Sequence, residues 1–178
     1  MKRQAIAFAL LALSLSFAGC RSRTDRSSGS VILSVSNFDQ LPVQVSVATG
    51  PFQIPSLTLQ NVPKDPTGTT SDLQTIELRS YQVTYTRRDT GRRTPPPLVQ
   101  GIFGNVPVGS SFTLRNAVFL SLDQVGNPPL SDLTRFGRDT ETGSAVIVLD
   151  VTMQFFGRTL AGDDIASAPV TFTIEVRP

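Results

Sequence analysis

The chain has 178 residues and contains one cysteine (Cys20), no histidine and no tryptophan. These absences exclude zinc sites built on Cys and His, Ser-His-Asp and Cys-His catalytic groups, and a disulfide within the chain. The 16 basic and 14 acidic residues nearly balance, so the charge gives no reason to predict nucleic acid as a partner.

The N-terminal segment has the pattern of an export signal. Lys2 and Arg3 precede an apolar run from Ala5 to Phe17. This run is shorter than the ~20 residues of a membrane-spanning helix, and a basic start with a short apolar core is typical of a signal helix. Its ending, Ala18-Gly19-Cys20, resembles the lipobox of bacterial lipoproteins.

The lipobox resemblance implies that residues 1–19 are removed and that the Cys20 thiol carries acyl chains such as palmitate. The predicted location is the bacterial cell envelope, attached to the membrane through Cys20. Arg21 stands where an aspartate would signal retention at the inner membrane, so the outer membrane is predicted where there are two. Residues 20–30 are polar without apolar periodicity, which predicts a flexible tether.

From residue 31 to the end, the pattern predicts one β domain. Apolar residues alternate with polar ones over short segments that Gly, Pro, Asn and Asp turns separate. The sequence thus predicts eight or nine strands. The clearest strand segments are 31–35, 43–47, 54–59, 73–87, 98–103, 112–122, 145–156 and 170–176.

Two irregularities stand out within this pattern. Ile76 and Leu78 hold one phase, whereas Tyr81 to Tyr85 hold the other, which predicts a bulge or a switch between sheets near Arg79-Ser80. One helical turn is predicted over Leu130 to Phe136, with Ser131 as its cap.

Many short strands predict an antiparallel sandwich or barrel. The last two strands, joined through residues 156–163, resemble the closing hairpin of bacterial immunoglobulin-like and fibronectin III-like domains. This resemblance implies an all-β, immunoglobulin-like antiparallel sandwich, although the Cys–Trp–Cys core of antibody domains is absent.

The candidate binding loop is an arginine cluster formed by Arg87, Arg88, Arg92 and Arg93, which precede three prolines. Its guanidiniums could bind carboxylates or phosphates of lipopolysaccharide, an acidic polysaccharide or an acidic protein. A solvated hairpin tip, partly neutralised by Asp89, is the simpler interpretation.

No catalytic residue, metal site or cofactor is predicted. Asp163-Asp164, Asp123 and Asp150 lack the spacing of a calcium loop. Phenylalanines at strand spacing are interpreted as core, with one ring of Phe155-Phe156 on the outer face. The six phenylalanines concerned are Phe103, Phe112, Phe119, Phe155, Phe156 and Phe172.

The predicted role is a non-catalytic binding or structural module whose loops or sheet edge contact an envelope protein or polysaccharide. One alternative is an envelope polysaccharide hydrolase with paired carboxylates, which needs a cleft and a raised carboxyl pKa. The other is a carrier of an apolar ligand, which needs an internal cavity.

Overall fold

The computed structural model describes residues 29–178. The predicted signal (residues 1–19), Cys20 and most of the predicted tether lie outside the described residues. Within the described part there are nine strands, two short α-helices and one 3-10 helix (Asp72–Gln74). The strands and α-helices are β1 (Val31–Asp39), β2 (Gln44–Ser46), β3 (Gln53–Pro63), β4 (Ile76–Arg87), β5 (Leu98–Val106), β6 (Ser111–Val118), α1 (Leu122–Val125), α2 (Leu130–Phe136), β7 (Ile147–Thr159), β8 (Asp164–Ala166) and β9 (Val170–Arg177).

The strands form two sheets. One has the order β1-β3-β6, and the other has the order β2-β9-β7-β4-β5, with β8 also paired to β7. All pairings are antiparallel except that of β2 with β9. Apart from β2, the orders β1-β3-β6 and β9-β7-β4-β5 correspond to strands A-B-E and G-F-C-C′ of an immunoglobulin-like sandwich. The predicted all-β sandwich is therefore confirmed.

The core lies between the sheets and follows the period of 2 that the sequence shows. In β7, the longest strand, alternate residues from Ile147 to Phe155 are buried. The Tyr81 and Phe155 rings pack with their centroids 5.4 Å apart. Since full burial of a large apolar side chain contributes about 1.5–3 kcal/mol, this interior can stabilise the fold without a disulfide.

The predicted irregularity near Arg79-Ser80 is confirmed. The register of β4 shifts between Leu78 and Ser80 against both of its neighbours, β5 and β7. Arg79 is the extra residue relative to β7, and it is exposed. The shift lets β4 bury Ile76 and Leu78 before it, and Tyr81 after it, on the same side of the sheet.

Three local predictions differ from the structure. The predicted strand 112–122 stops at Val118, because Ser121 caps α1. The Ser121 hydroxyl accepts from the Gln124 N–H, and the Gln124 side chain accepts from the Ser121 N–H. Helix α2 has the predicted bounds, but its N-cap is Pro129, and Ser131 is buried in its first turn. Phe103 is 93% exposed rather than core, because it lies on the outer face of β5 at the sheet edge.

The chain enters the sandwich at one end, here called the proximal end. The carbonyl of Ser30 accepts from the Lys64 N–H (3.0 Å), and its hydroxyl accepts from Gln74 Nε2 (2.8 Å). Buried Asn61 donates to the Gln74 and Val106 carbonyls, which joins β3 to this end. Strand β4 starts here and runs for 12 residues. At ~3.3 Å per residue it ends roughly 36 Å away, at the distal end.

Candidate functional site

The distal end is organised around Arg87, the last residue of β4, whose side chain is only 2% exposed. Its Nε and Nη2 donate to the two carboxylate oxygens of Asp89 at 2.6 and 2.9 Å. Nη2 also donates to Asp139 Oδ2 at 2.9 Å, and Nη1 donates to the Arg93 carbonyl. Arg87 is therefore satisfied by a bidentate ion pair, a second carboxylate and a carbonyl, as a buried guanidinium requires.

Asp139 is fully buried and ionised. Its carboxylate accepts from Arg87, from the Thr142 hydroxyl (2.7 Å) and from the Glu141 N–H (3.2 Å). Burial would raise the pKa of this carboxyl, but the hydrogen bonds from Arg87, Thr142 and Glu141 outweigh it and lower the pKa to about 2. Burial would also raise the pKa of Asp89, but hydrogen bonds from Arg87 and from two backbone N–H groups outweigh it and lower the pKa.

Arg93 extends the cluster toward the surface. Its Nη2 donates to the Thr140 hydroxyl (2.6 Å) and to Asp132 Oδ2 (3.2 Å), and its Nε lies 3.7 Å from Glu141 Oε2. The same Glu141 oxygen accepts the backbone N–H groups of Arg92 and Arg93 at 2.9 and 3.0 Å. These hydrogen bonds lower the pKa of the Glu141 carboxyl.

The cluster joins two regions that are distant in sequence: loop 88–97 after β4, and the continuous stretch from α2 to the start of β7. Asp89 accepts from the Val148 N–H of β7 (3.1 Å), and Asp132 belongs to α2. The loop after β4 makes its turn directly over the guanidinium, since a Cβ on Gly91 would collide with Arg87. Loop 88–97, α2, loop 137–146 and β7 are thereby fixed to one another.

A second contact holds the other end of loop 88–97. Gln124 of α1 donates through Nε2 to the Pro96 carbonyl at 2.5 Å, while its Oε1 lies 3.2 Å from the Tyr85 hydroxyl. That hydroxyl also lies 2.6 Å from the Phe119 carbonyl. Burial raises the pKa of Tyr85, so the hydroxyl stays protonated and able to donate. The loop is thus held at both ends.

The four predicted arginines have different surroundings. Arg87 and Arg93 bind carboxylates of their own chain, as described above. Arg88 is 64% exposed and lies 3.8 Å from Asp150. Arg92 is exposed, and within residues 29–178 it forms no side-chain ion pair. Sequence reasoning missed the partners Asp132, Asp139 and Glu141, because they lie about 40–50 residues further along the chain and no local spacing marks them.

A shallow surface cavity of about 440 Å³ adjoins the cluster. It is lined by Phe136, Arg138, Asp139, Thr140 and Gly143. Phe136 is 60% exposed, and Arg138 and neighbouring Arg135 are exposed too. In the described part of the chain neither of these arginines has an ion-pair partner. We call this surface, with Arg92, the distal platform; it offers guanidinium donors beside an aromatic ring.

The chemistry of the cluster is that of a structural ion-pair network. The pKa values of Asp89 and Asp139 are lowered, whereas a general acid needs a raised pKa. The other acids predicted as a pair are elsewhere: Asp150 accepts from Thr173 on the outer face of β7, and Asp164 lies 3.8 Å from Arg158. Among residues 29–178, no three potential metal ligands are grouped.

Comparison with protein-family models, with curated proteins and with solved structures found no match. In the stretch from residue 29 onward, neither helix has the length and apolar character needed to cross a membrane.

Replacing Arg87 tests the cluster. Arg87→Ala leaves two carboxylates without their shared cation, and removing one partner of a buried ion pair costs about 3–5 kcal/mol. Arg88→Ala is the matched control, since an exposed pair contributes about 0–1 kcal/mol. We expect urea unfolding at pH 7 to show a large loss of stability for the first variant only. Similar losses for both would contradict the role of Arg87.

The low pKa of Asp139 predicts acid sensitivity. Its folded pKa of about 2 lies below the ordinary 3.8, so the stabilisation is complete above pH ~4 and is lost as the pH falls towards 2. The difference in unfolding free energy between the unmodified protein and Asp139→Asn should therefore shrink by on the order of 2 kcal/mol between pH 6 and pH 2.5. Exposed Asp164→Asn should show no such change. Parallel curves for Asp139→Asn and the unmodified protein would refute the assignment.

Proposed function

We propose that this protein is a non-catalytic binding module of the bacterial envelope, anchored by lipid at Cys20, whose distal platform binds an envelope polysaccharide carrying carboxylate or phosphate groups. In an organism with two membranes, the outer membrane is the proposed site of anchoring, because Arg21 is not the aspartate of inner-membrane retention.

The observation that carries this proposal is that the chain enters the sandwich at one end and the arginine cluster lies at the other. The chain from Cys20 reaches the domain at Ser30, beside the start of β4, and the arginine cluster lies where β4 ends. An anchor at one end and a charged platform roughly 36 Å away at the other suit a protein that binds on the side facing away from its membrane. Anchoring also raises the effective concentration of the platform near envelope ligands.

The platform has the chemistry for an acidic sugar polymer. Arg92, Arg135 and Arg138 are exposed and form no ion pair within the described residues, so their donors are available to carboxylates or phosphates. Exposed Phe136 offers a flat apolar face to a sugar ring. The loops beneath are fixed by Arg87, Asp139 and Gln124, so little ordering entropy would be lost on binding.

Cys20→Ser tests the anchor. We expect the unmodified protein to fractionate with membranes, and the variant to appear in the soluble fraction or as an uncleaved precursor. The variant has no thiol to carry acyl chains, and each buried methylene of such a chain contributes ~0.8 kcal/mol to membrane attachment. Metabolic labelling with a fatty acid gives a second measurement. A Cys20→Ser protein that is still labelled and membrane-bound would overturn the anchor.

Charge removal tests the platform. The double variant Arg92→Ala/Arg138→Ala should bind polygalacturonate about tenfold more weakly, equivalent to ~1.4 kcal/mol. The control Arg79→Ala/Arg158→Ala removes the same charge near the proximal end and should bind like the unmodified protein. Calorimetry with neutral dextran as a second control measures both. Equal weakening by the two double variants would mean that net charge, and not the platform, attracts the polymer.

A further inference from the structure

We propose that β5 is a self-association edge, along which two copies of this chain pair antiparallel about a twofold axis at Gly101. This inference goes beyond the proposed function, because it concerns a different surface. The two β5 strands would join the β2-β9-β7-β4-β5 sheets of both copies into one continuous sheet.

The case for β5 begins with a comparison of the sheet edges. Natural sheets protect their edges with short strands, bulges, prolines or charges. Strands β2 and β8 have three residues each, and β1 is interrupted by a bulge between Val35 and Asn37. Strand β6 carries exposed Arg115 and, next to it, Asn116 at a φ of 52°.

Strand β5 is neither short nor charged, although its pairing with β4 also contains a register shift. Its nine residues, Leu-Val-Gln-Gly-Ile-Phe-Gly-Asn-Val, include no charge and no proline. Between the pairs Leu78–Gly104 and Ser80–Gly101, β5 has one residue more than β4, but Ile102 and Val106 stay buried while Phe103 and Asn105 stay exposed. A long, uncharged edge that keeps its alternation of buried and exposed residues is a template for another strand.

The side chains of β5 are those of an interface. Phe103 is 93% exposed and Val99 is 66% exposed, and both lie on the outer face of the sheet. Gly101 lies between them, and a Cβ added there would meet no atom within 4 Å. The edge therefore presents two large apolar side chains on either side of a position where two backbones can approach closely.

This spacing makes the edge self-complementary. In an antiparallel pair, directly opposed residues lie on the same face of the sheet. With Gly101 opposite the partner's Gly101, Val99 lies opposite the partner's Phe103, and Phe103 opposite the partner's Val99. Both exposed apolar residues of each copy are covered in this one register, and the symmetric contact closes as a dimer.

The surface available fits a dimer of modest affinity. A phenylalanine offers about 200 Å², and Phe103 leaves 93% of itself exposed. The two phenylalanines together offer roughly 370 Å², so the exposed side chains of β5 stay below the ~1,200 Å² at the lower end of stable interfaces, as in a weak dimer. The absence of charge on β5 removes the repulsion that two identical charged edges would have.

Cysteine cross-linking of the full chain in its host membranes tests the register. Gly101→Cys places the two thiols at the twofold axis, where the Cα separation of about 4.5–5.5 Å in an antiparallel pair suits a disulfide. Val99→Cys is the matched control: it is equally accessible, but its two copies would lie about 13 Å apart along the strands. The unsubstituted chain measures any cross-linking through Cys20.

After mild oxidation, we expect about tenfold more disulfide-linked dimer for Gly101→Cys than for Val99→Cys, because only the former meets the disulfide distance. Adding Phe103→Arg to Gly101→Cys should return the dimer to the level of the unsubstituted chain. Phe103 is almost wholly exposed, so the urea unfolding midpoint of that variant should not change. Equal dimer from positions 99 and 101, no dimer from either, or an adduct with a different protein would overturn the proposal.

Discussion

The arrangement of the distal end depends on one interaction, the burial of the Arg87 guanidinium between Asp89 and Asp139. A guanidinium that is 2% exposed has lost its hydration, and the loss is offset only when good hydrogen bonds replace the water. Asp89, in loop 88–97, accepts two of these bonds. Asp139, in loop 137–146, accepts the third. The two loops can therefore satisfy Arg87 only in one relative position.

This requirement explains why long irregular segments can form a defined surface. Loop 88–97 and loop 137–146 contain few apolar side chains that could fix them by packing alone. Their backbone N–H groups are satisfied instead by carboxylates, as in the contacts from Arg92 and Arg93 to Glu141. We infer that the cluster mainly fixes the geometry of the loops. Its net contribution to stability is small, because apolar residues in place of a buried ion pair can be as stable as the pair.

Sequence periodicity was sufficient for the strands and insufficient for the site, for a physical reason. A half-buried strand repeats every two residues, so Ile147 to Phe155 and the phase change around Arg79 could be identified locally. The role of Arg87 depends on Asp139, 52 residues later, and a single sequence does not show which distant residues meet. Adjacent arginines therefore looked alike, although Arg87 is buried and Arg92 is exposed.

Phe103 is a second residue whose surroundings the sequence periodicity does not show. Its spacing in β5 fits a core residue, and only the sheet order, which places β5 at an edge, shows that its face of the strand is open. Once the edges are known, the proposed anchoring, ligand binding and self-association fall on three separate surfaces: the proximal end, the distal platform and β5. In a dimer formed about Gly101 the twofold axis is perpendicular to the sheet. Antiparallel pairing reverses the strand direction of the second copy. The proximal end of one copy would then lie toward the distal end of the other, so two anchored copies could pair only if their sheets lay along the membrane or if the copies came from facing surfaces.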